Sequence, residues 1–156
     1  MEILFNYEYG QKDLEELSLL ELAAFVLEHE NKPAECEVSI SFVEDDHIAR
    51  LNKKYRHKDG PTDVLSFECD GYSADDYDFP QGDADDYTLG DVVIAPDVAK
   101  RQMAEYGTTF EEEISLLLVH GLLHLCGYDH IEDDEAKQME ELEAKLLKAW
   151  KKTQVS

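Results

Sequence analysis

Three histidines lie close together in the second half of the 156-residue chain, at a spacing that suits metal binding. His120 and His124 are four residues apart inside the apolar segment 114–126, so a helix would carry both imidazoles on one face, one turn apart. Gly127 can end that helix in a left-handed conformation, and the reversed chain would bring His130 back towards the pair. Three neutral imidazoles with an open fourth position form a catalytic zinc site, in which the pKa of bound water can fall to about 7. The sequence therefore predicts one zinc ion per chain, held by His120, His124 and His130.

The alternative interpretation is that these are unrelated core or surface histidines. Half of the chain's six histidines fall within this short window, in the most apolar predicted helix, where an unpaired imidazole would lose its hydration without compensation. Metal binding accounts for this clustering. Asp129, beside His130, could orient an imidazole or a bound water, or it could bond local backbone amides as aspartates in turns do.

Hydrophobic periodicity predicts the elements that must position these residues. Val38, Ile40 and Phe42 alternate with polar neighbours, which is typical of a strand with one buried face. Local capping and turn signals mark the helix ends. Strands are predicted over 3–5, 38–42, 63–67 and 89–95. Five helices are predicted: the first from a capping box of Asp13 and Glu16 to near His29, the second from a cap at residue 45 or 46, the third from Pro96 to about Tyr106, the fourth from a capping box of Thr109 and Glu112, and the fifth from residue 133 or 134. The fifth helix carries Met139, Leu142, Leu146 and Trp150 on its apolar side.

Alternating strands and helices followed by a helical run predict one domain over residues 1–156. Its fold class is α+β, or layered α/β, with a four-stranded mixed sheet and about five helices. Residues 70–86 are rich in Asp, Gly and Tyr and show neither helical nor strand periodicity, so they are expected to form a long acidic loop.

The formal net charge of −23 opposes general binding of a polyanion, so the distribution of charge decides what the surface can bind. Residues 49–58 contain five lysines and arginines and no acid, whereas residues 68–86 contain eight acids and no base. The molecule is therefore electrically polarised. The basic run is either a solvated helix face or a contact for a nucleic acid.

The sequence contains neither a basic leader nor a run of about 18 uncharged apolar residues, which predicts a soluble, cytoplasmic protein without a membrane partner. Its cysteines, Cys36, Cys69 and Cys126, are odd in number and form no C-x-x-C pair. Buried, reduced thiols are expected instead of disulfides or a thiolate zinc site.

The segment 120–130, H-G-L-L-H-L-C-G-Y-D-H, resembles the H-G-x-x-H-x-x-G-Y-D-H signature of the YbeY family. Three upstream segments are also similar to that family's motifs and occur in the same order. They are L-N-K-K-Y-R at 51–56, D-G-P-T-D-V-L-S-F at 59–67 and L-G-D-V-V-I at 89–94.

This resemblance implies a single-strand-specific endoribonuclease that acts in ribosomal RNA maturation, at the 16S 3′ end, and in ribosome quality control. It implies that zinc is held by His120, His124 and His130, on a helix like that of the metzincins, and it supports the α+β fold. Arg56 and His120 are the expected catalytic residues, because a guanidinium can bind and stabilise a phosphodiester in its transition state. Arg56 could instead form a salt bridge at a helix end. The expected partners are single-stranded or ribosomal RNA and, through the acidic loop, basic ribosomal proteins.

Two other functions are compatible with the same motif. The metzincin peptidase pattern H-E-x-x-H-x-x-G-x-x-H is similar, but its general-base glutamate is replaced here by Gly121, which cannot accept a proton. Because the base is missing, a ribosome-assembly factor with a structural metal is the second hypothesis. Thr62, Asp63 and Ser66 are expected to fix the strand and turn beneath the site.

Overall fold

A four-stranded mixed sheet lies at the centre of the fold, as predicted. The computed structural model describes residues 2–32, 36–68, 88–128 and 133–154. The strand order is β1-β2-β4-β3, in which β2 is parallel to both β1 and β4 while β3 is antiparallel to β4. Among the described strands, β1 and β3 are therefore the edges. The strands are β1 (Glu2–Tyr7), β2 (Glu37–Phe42), β3 (Val64–Glu68) and β4 (Thr88–Ile94).

Six helices occur in the described ranges, against about five predicted. The additional one, α1, is a single four-residue turn. The helix starting at 96 ends where predicted, at a left-handed Gly107. The helices are α1 (Gln11–Leu14), α2 (Leu19–His29), α3 (Asp45–Arg56), α4 (Pro96–Tyr106), α5 (Phe110–Leu125) and α6 (Asp133–Gln154).

The predicted capping box of Asp13 and Glu16 is wrong. The chain leaves the helical path after Leu14, and α2 begins at Leu19, after Ser18. The Asp13 carboxylate accepts a hydrogen bond from the Lys100 side chain on α4, at 3.2 Å, instead of capping a helix. The break allows both Leu14 and Leu19 to be buried, so tertiary packing overrides the local capping signal.

The cap predicted at residue 45 or 46 is also wrong, because Glu44 occupies that position without a side-chain cap. Asp45 lies in the first turn of α3 and pairs with Arg101 of α4 at 2.9 Å. An acid in the first turn still interacts favourably with the helix dipole.

Helices cover both faces of the sheet. On β4, Val92 faces the larger hydrophobic cluster, which includes buried residues of α2, α5 and α6, whereas the next residue, Val93, faces a smaller cluster under α3. Successive strand residues point to opposite faces. The helix with the paired histidines and the helix with the basic run therefore pack on opposite sides of the sheet.

The predicted acidic loop, 70–86, lies outside the described residues, as does Cys69. Cys36 and Cys126 are free thiols; Cys36 is buried as predicted, whereas Cys126 is only half-buried. Burial raises the pKa of the Cys126 thiol to about 11, so this thiol stays protonated at neutral pH. No helix within the described ranges is both long and apolar enough to cross a membrane.

Candidate metal centre

Helix α5 carries two of the predicted metal ligands and begins at the predicted capping box. The Thr109 hydroxyl accepts a hydrogen bond from the Glu112 amide, and the Glu112 carboxylate accepts one from the Thr109 amide, each at 3.1 Å. These hydrogen bonds to Thr109 lower the pKa of Glu112. A helix fixed at its start continues for 16 residues and places His120 and His124 one turn apart.

The imidazoles of His120 and His124 direct their Nε2 atoms at each other. These two nitrogens are 3.1 Å apart, and the ring planes are inclined at 81°. The Nδ1 atom of His124 donates to the backbone carbonyl of Tyr128 at 2.9 Å. The Nδ1 atom of His120 is hydrogen-bonded to the carboxylate of Glu143, which lies on α6. Both rings are therefore hydrogen-bonded through Nδ1, on the side of the ring opposite to the facing Nε2 atoms.

This hydrogen-bonding pattern fits a metal ion. A carbonyl oxygen can only accept, so Nδ1 of His124 carries the proton and Nε2 presents a lone pair. An ionised Glu143 imposes the same tautomer on His120. Two facing lone pairs repel each other unless a cation lies between them. Two nitrogens that each bind a tetrahedral zinc ion at 2.0–2.1 Å are about 3.3 Å apart, close to the distance seen here.

The turn after α5 forms as the glycine predicts. The amides of Gly127 and Tyr128 donate to the carbonyls of His124 and Leu123, both at 3.1 Å, which is a Schellman motif with a glycine at φ 103°. The Tyr128 hydroxyl is hydrogen-bonded to Glu30 at the end of α2, and this bond raises the pKa of Tyr128. The motif thus orders the backbone carbonyl that holds His124.

The third predicted ligand, His130, lies outside the described residues, together with Asp129. Within the ranges that the structure covers, no group of three His, Cys, Asp or Glu side chains is placed to hold a metal ion. The sequence predicts a third ligand besides His120 and His124. That role remains a prediction for His130.

Gly121 faces the sheet and points away from the Nε2 atoms of His120 and His124. A Cβ atom at this position would lie 2.6 Å from Cγ1 of Val92 and 3.3 Å from the Ser66 hydroxyl. The Ser66 hydroxyl donates to the Gly121 carbonyl at 3.1 Å. An acidic side chain at position 121 would thus be forced into the helix–sheet interface, so the absence of a base here follows from packing.

Arg56, the second predicted catalytic residue, is exposed in the last turn of α3. Helix α3, which carries it, packs on the opposite face of the sheet from α5. The two helices meet the same edge strand through successive residues, because Ser66 contacts Gly121 of α5 while Phe67 packs edge-on against Tyr55 of α3 at 5.0 Å. Whether Arg56 acts on the substrate stays a prediction.

The turn that leads into β3 is fixed by its polar side chains, as predicted. The Asp63 carboxylate accepts from the Val64 amide at 2.8 Å and from the Gln102 side chain of α4 at 3.1 Å. The Thr62 hydroxyl donates to the same carboxylate at 3.4 Å. These contacts hold the start of the strand.

Glu143 is the site residue that the sequence analysis missed. The residue is 6% exposed, although a carboxylate is costly to bury without a partner. The available signal was its place in α6, between the buried Met139 and Leu146, on the face that packs into the core. An acid in an otherwise apolar helix face indicates a specific partner, here His120.

Known proteins are similar to this chain in sequence and in fold. A family model described as "Endoribonuclease YbeY" matches residues 6–151. A relative of that name from Frankia alni is 43% identical over 152 residues, which span 96% of this chain and 83% of the relative. Another, from Agathobacter rectalis, is 39% identical, and the match covers 96% of this chain and 92% of the relative.

A solution structure from Thermotoga maritima has a similar fold, with a TM-score of 0.61 and 30% identity, over 97% of this chain and 93% of that one. The family match includes the helix with the paired histidines, the basic helix and the edge strand between them. By this match over nearly its whole length, the chain belongs to the YbeY family.

Proposed function

We propose that this chain is a zinc-dependent endoribonuclease that cuts single-stranded RNA in maturation of the 16S ribosomal RNA 3′ end and in ribosome quality control. Membership of a family described as endoribonucleases supports the reaction. The single observation that carries the metal dependence is the 3.1 Å separation of the Nε2 atoms of His120 and His124. A ribosomal substrate places the protein in the cytoplasm.

Zinc binding and phosphate binding are assigned to residues of two helices that pack on opposite faces of the sheet. His120, His124 and His130 hold the zinc ion, and Arg56 binds a phosphate through paired hydrogen bonds. When bound, zinc supplies Lewis acidity, which polarises a phosphoryl oxygen and lowers the pKa of water. The Nδ1 atoms of His120 and His124 are both hydrogen-bonded on the far sides of the rings, so the site needs little reorganisation to bind the ion.

The arrangement of the basic helix favours a flexible substrate. Lys53, Lys54 and Arg56 are exposed in the last two turns of α3, whereas α5 packs on the opposite face of the sheet, against the edge strand β3. An RNA strand that binds both helices must bend around this edge. A single strand can do so, whereas a duplex is stiff over many tens of base pairs. This geometry supports cleavage of single-stranded regions.

A non-catalytic assembly factor with a structural metal is the second candidate, and one observation favours it. Glu143, the buried acid beside the histidines, bonds to Nδ1 of His120 and so lies on the opposite side of the ring from Nε2. It is therefore not placed to take a proton from an attacking group near Nε2. The peptidase alternative is weakened further, because Gly121 faces Val92.

Cleavage assays with controlled metal content test the proposal. The purified chain is incubated with a single-stranded RNA that carries the 16S 3′ end, with the same RNA annealed to its complement, and with an unrelated single strand. We expect the single strands to be cut, the 16S one fastest, and the duplex to be spared. A chelator should abolish cleavage, and added zinc should restore it. Binding without cleavage at full zinc occupancy would favour the assembly factor.

A further inference from the structure

The buried carboxylate of Glu143 couples the last helix to the paired histidines. Glu143 is 6% exposed, and its neighbours one turn away on α6, Met139 and Leu146, are almost fully buried in the main core. A carboxylate is costly to bury in such surroundings unless it is hydrogen-bonded. Its partner is Nδ1 of His120, 23 residues earlier on α5.

The partner atom on His120 determines what this contact can do. When the His120 ring is neutral, two proton arrangements satisfy the hydrogen bond. In one, an ionised Glu143 accepts from Nδ1 and leaves Nε2 with a lone pair. In the other, a protonated Glu143 donates to Nδ1 and the ring carries its proton on Nε2, which then donates to Nε2 of His124, 3.1 Å away. Only the first arrangement leaves His120 ready to bind a metal ion.

We propose that Glu143 is a positioning residue of the metal centre, which holds His120 in the Nδ1-protonated tautomer and makes the docking of α6 part of zinc binding. This inference rests on the metal site of the proposed function. His124 has a matching device, because the Tyr128 carbonyl can only accept. The two ligands are thus fixed from two different elements, one by a carboxylate on α6 and the other by the backbone of its own helix turn.

The first test needs no variant. Ring nitrogen shifts of His120 in the metal-free chain, read by NMR at about pH 8, above the usual imidazole pKa, report which nitrogen carries the proton. We expect the Nδ1-protonated form. An Nε2-protonated His120 would overturn the inference even if the chain binds zinc, so the outcome is independent of the proposed function.

The second test compares two buried acids. Glu113 is also 6% exposed, but its carboxylate accepts a hydrogen bond from the Thr108 hydroxyl at 2.6 Å, near the start of α5. Glu143→Gln removes the charge beside His120, and Glu113→Gln removes an equally buried charge elsewhere. Competition with a chromophoric chelator measures zinc affinity in each. We expect Glu143→Gln to bind zinc about 10- to 100-fold more weakly and Glu113→Gln to match the unsubstituted chain.

The outcomes distinguish a failure of the proposed function from a failure of the role of Glu143. If the unsubstituted chain does not bind zinc, the proposed function fails, while the tautomer of His120 still tests the role of Glu143. If it binds zinc and both variants bind equally well, Glu143 is not a positioning residue. If Glu143→Gln does not fold, Glu143→Asp retains the charge on a shorter side chain. Unchanged affinity in that variant would also overturn the inference.

Discussion

The Ser66 hydroxyl donates a hydrogen bond to the carbonyl of Gly121 at 3.1 Å, and this contact holds α5 against the edge strand β3. At the same place the helix touches β4 so closely that a Cβ atom on Gly121 would lie 2.6 Å from Val92. The position of His120, one residue earlier, therefore depends on a glycine that lets helix and sheet approach.

Gly121→Ala should destabilise the protein although alanine is the better helix former. Val92 is fully buried and β-branched, so it cannot easily move away from an added methyl group. Overpacking costs about 1–3 kcal/mol, and the gain in helix propensity offsets about 1 kcal/mol of it. Denaturant unfolding of the metal-free chain should show a lower free energy of unfolding.

The double variant Gly121→Ala, Val92→Ala supplies the control. Val92→Ala leaves space that the new methyl group can fill, so the two effects should not add. We expect the double variant to be more stable than the sum of the single changes predicts, by about 1 kcal/mol. Strict additivity would mean that the two residues do not compete for the same space.

The purified chain should contain about one zinc ion, because three imidazoles suit this borderline metal. Elemental analysis measures the content directly. His124→Ala should lose most of the metal, since it removes a ligand whose lone pair faces His120. His47→Ala serves as the matched control and should retain zinc, because His47 is a half-exposed histidine on α3 that lies beside Glu8. Full occupancy in His124→Ala would contradict the three-histidine site.

Arg56→Ala should lower RNA cleavage more than tenfold while the protein stays folded and binds zinc. The side chain is exposed at the end of α3, so its loss removes little packing, whereas a phosphate would lose its paired hydrogen bonds. Arg56→Lys should recover only part of the activity, because an ammonium group is not a planar fork. Cleavage rates and thermal midpoints of each variant are compared.

Arg101→Ala is the control for loss of an exposed arginine. Arg101 pairs with Asp45 at the surface, 2.9 Å away, and such exposed pairs contribute about 0–1 kcal/mol. Its removal should leave cleavage unchanged. Equal loss of cleavage in both arginine variants would indicate a general charge effect instead of a role for Arg56 at the phosphate.

Local signals in the sequence predicted much of the site. Three of these signals act over a few residues: the capping box of Thr109 and Glu112, the i, i+4 histidines and the glycine turn. Their geometry is therefore determined by the spacing of the residues in the sequence. The break before Leu19 was missed because burial of two leucines decides it, and burial depends on the whole fold.

The contacts that complete the site are long-range, which is why sequence reasoning did not find them. Glu143 reaches His120 from 23 residues away, and Ser66 reaches Gly121 from 55. The placement of α3 and α5 on opposite faces of the sheet follows from the alternation of β4, where Val92 and Val93 face different helices. No local pattern specifies which face of the sheet a helix covers.

The last prediction separates a catalytic metal from a structural one through His130→Ala. If the metal is catalytic, this variant should lose zinc, remain folded and bind single-stranded RNA through Lys53, Lys54 and Arg56, yet cleave none of it. We expect this outcome, because the buried cluster that joins α2, α5, α6 and the sheet is extensive without any metal. Fluorescence anisotropy measures binding, a gel assay measures cleavage, and thermal unfolding measures stability. A structural metal would instead make all three fall together, with a loss of several kcal/mol in the free energy of unfolding.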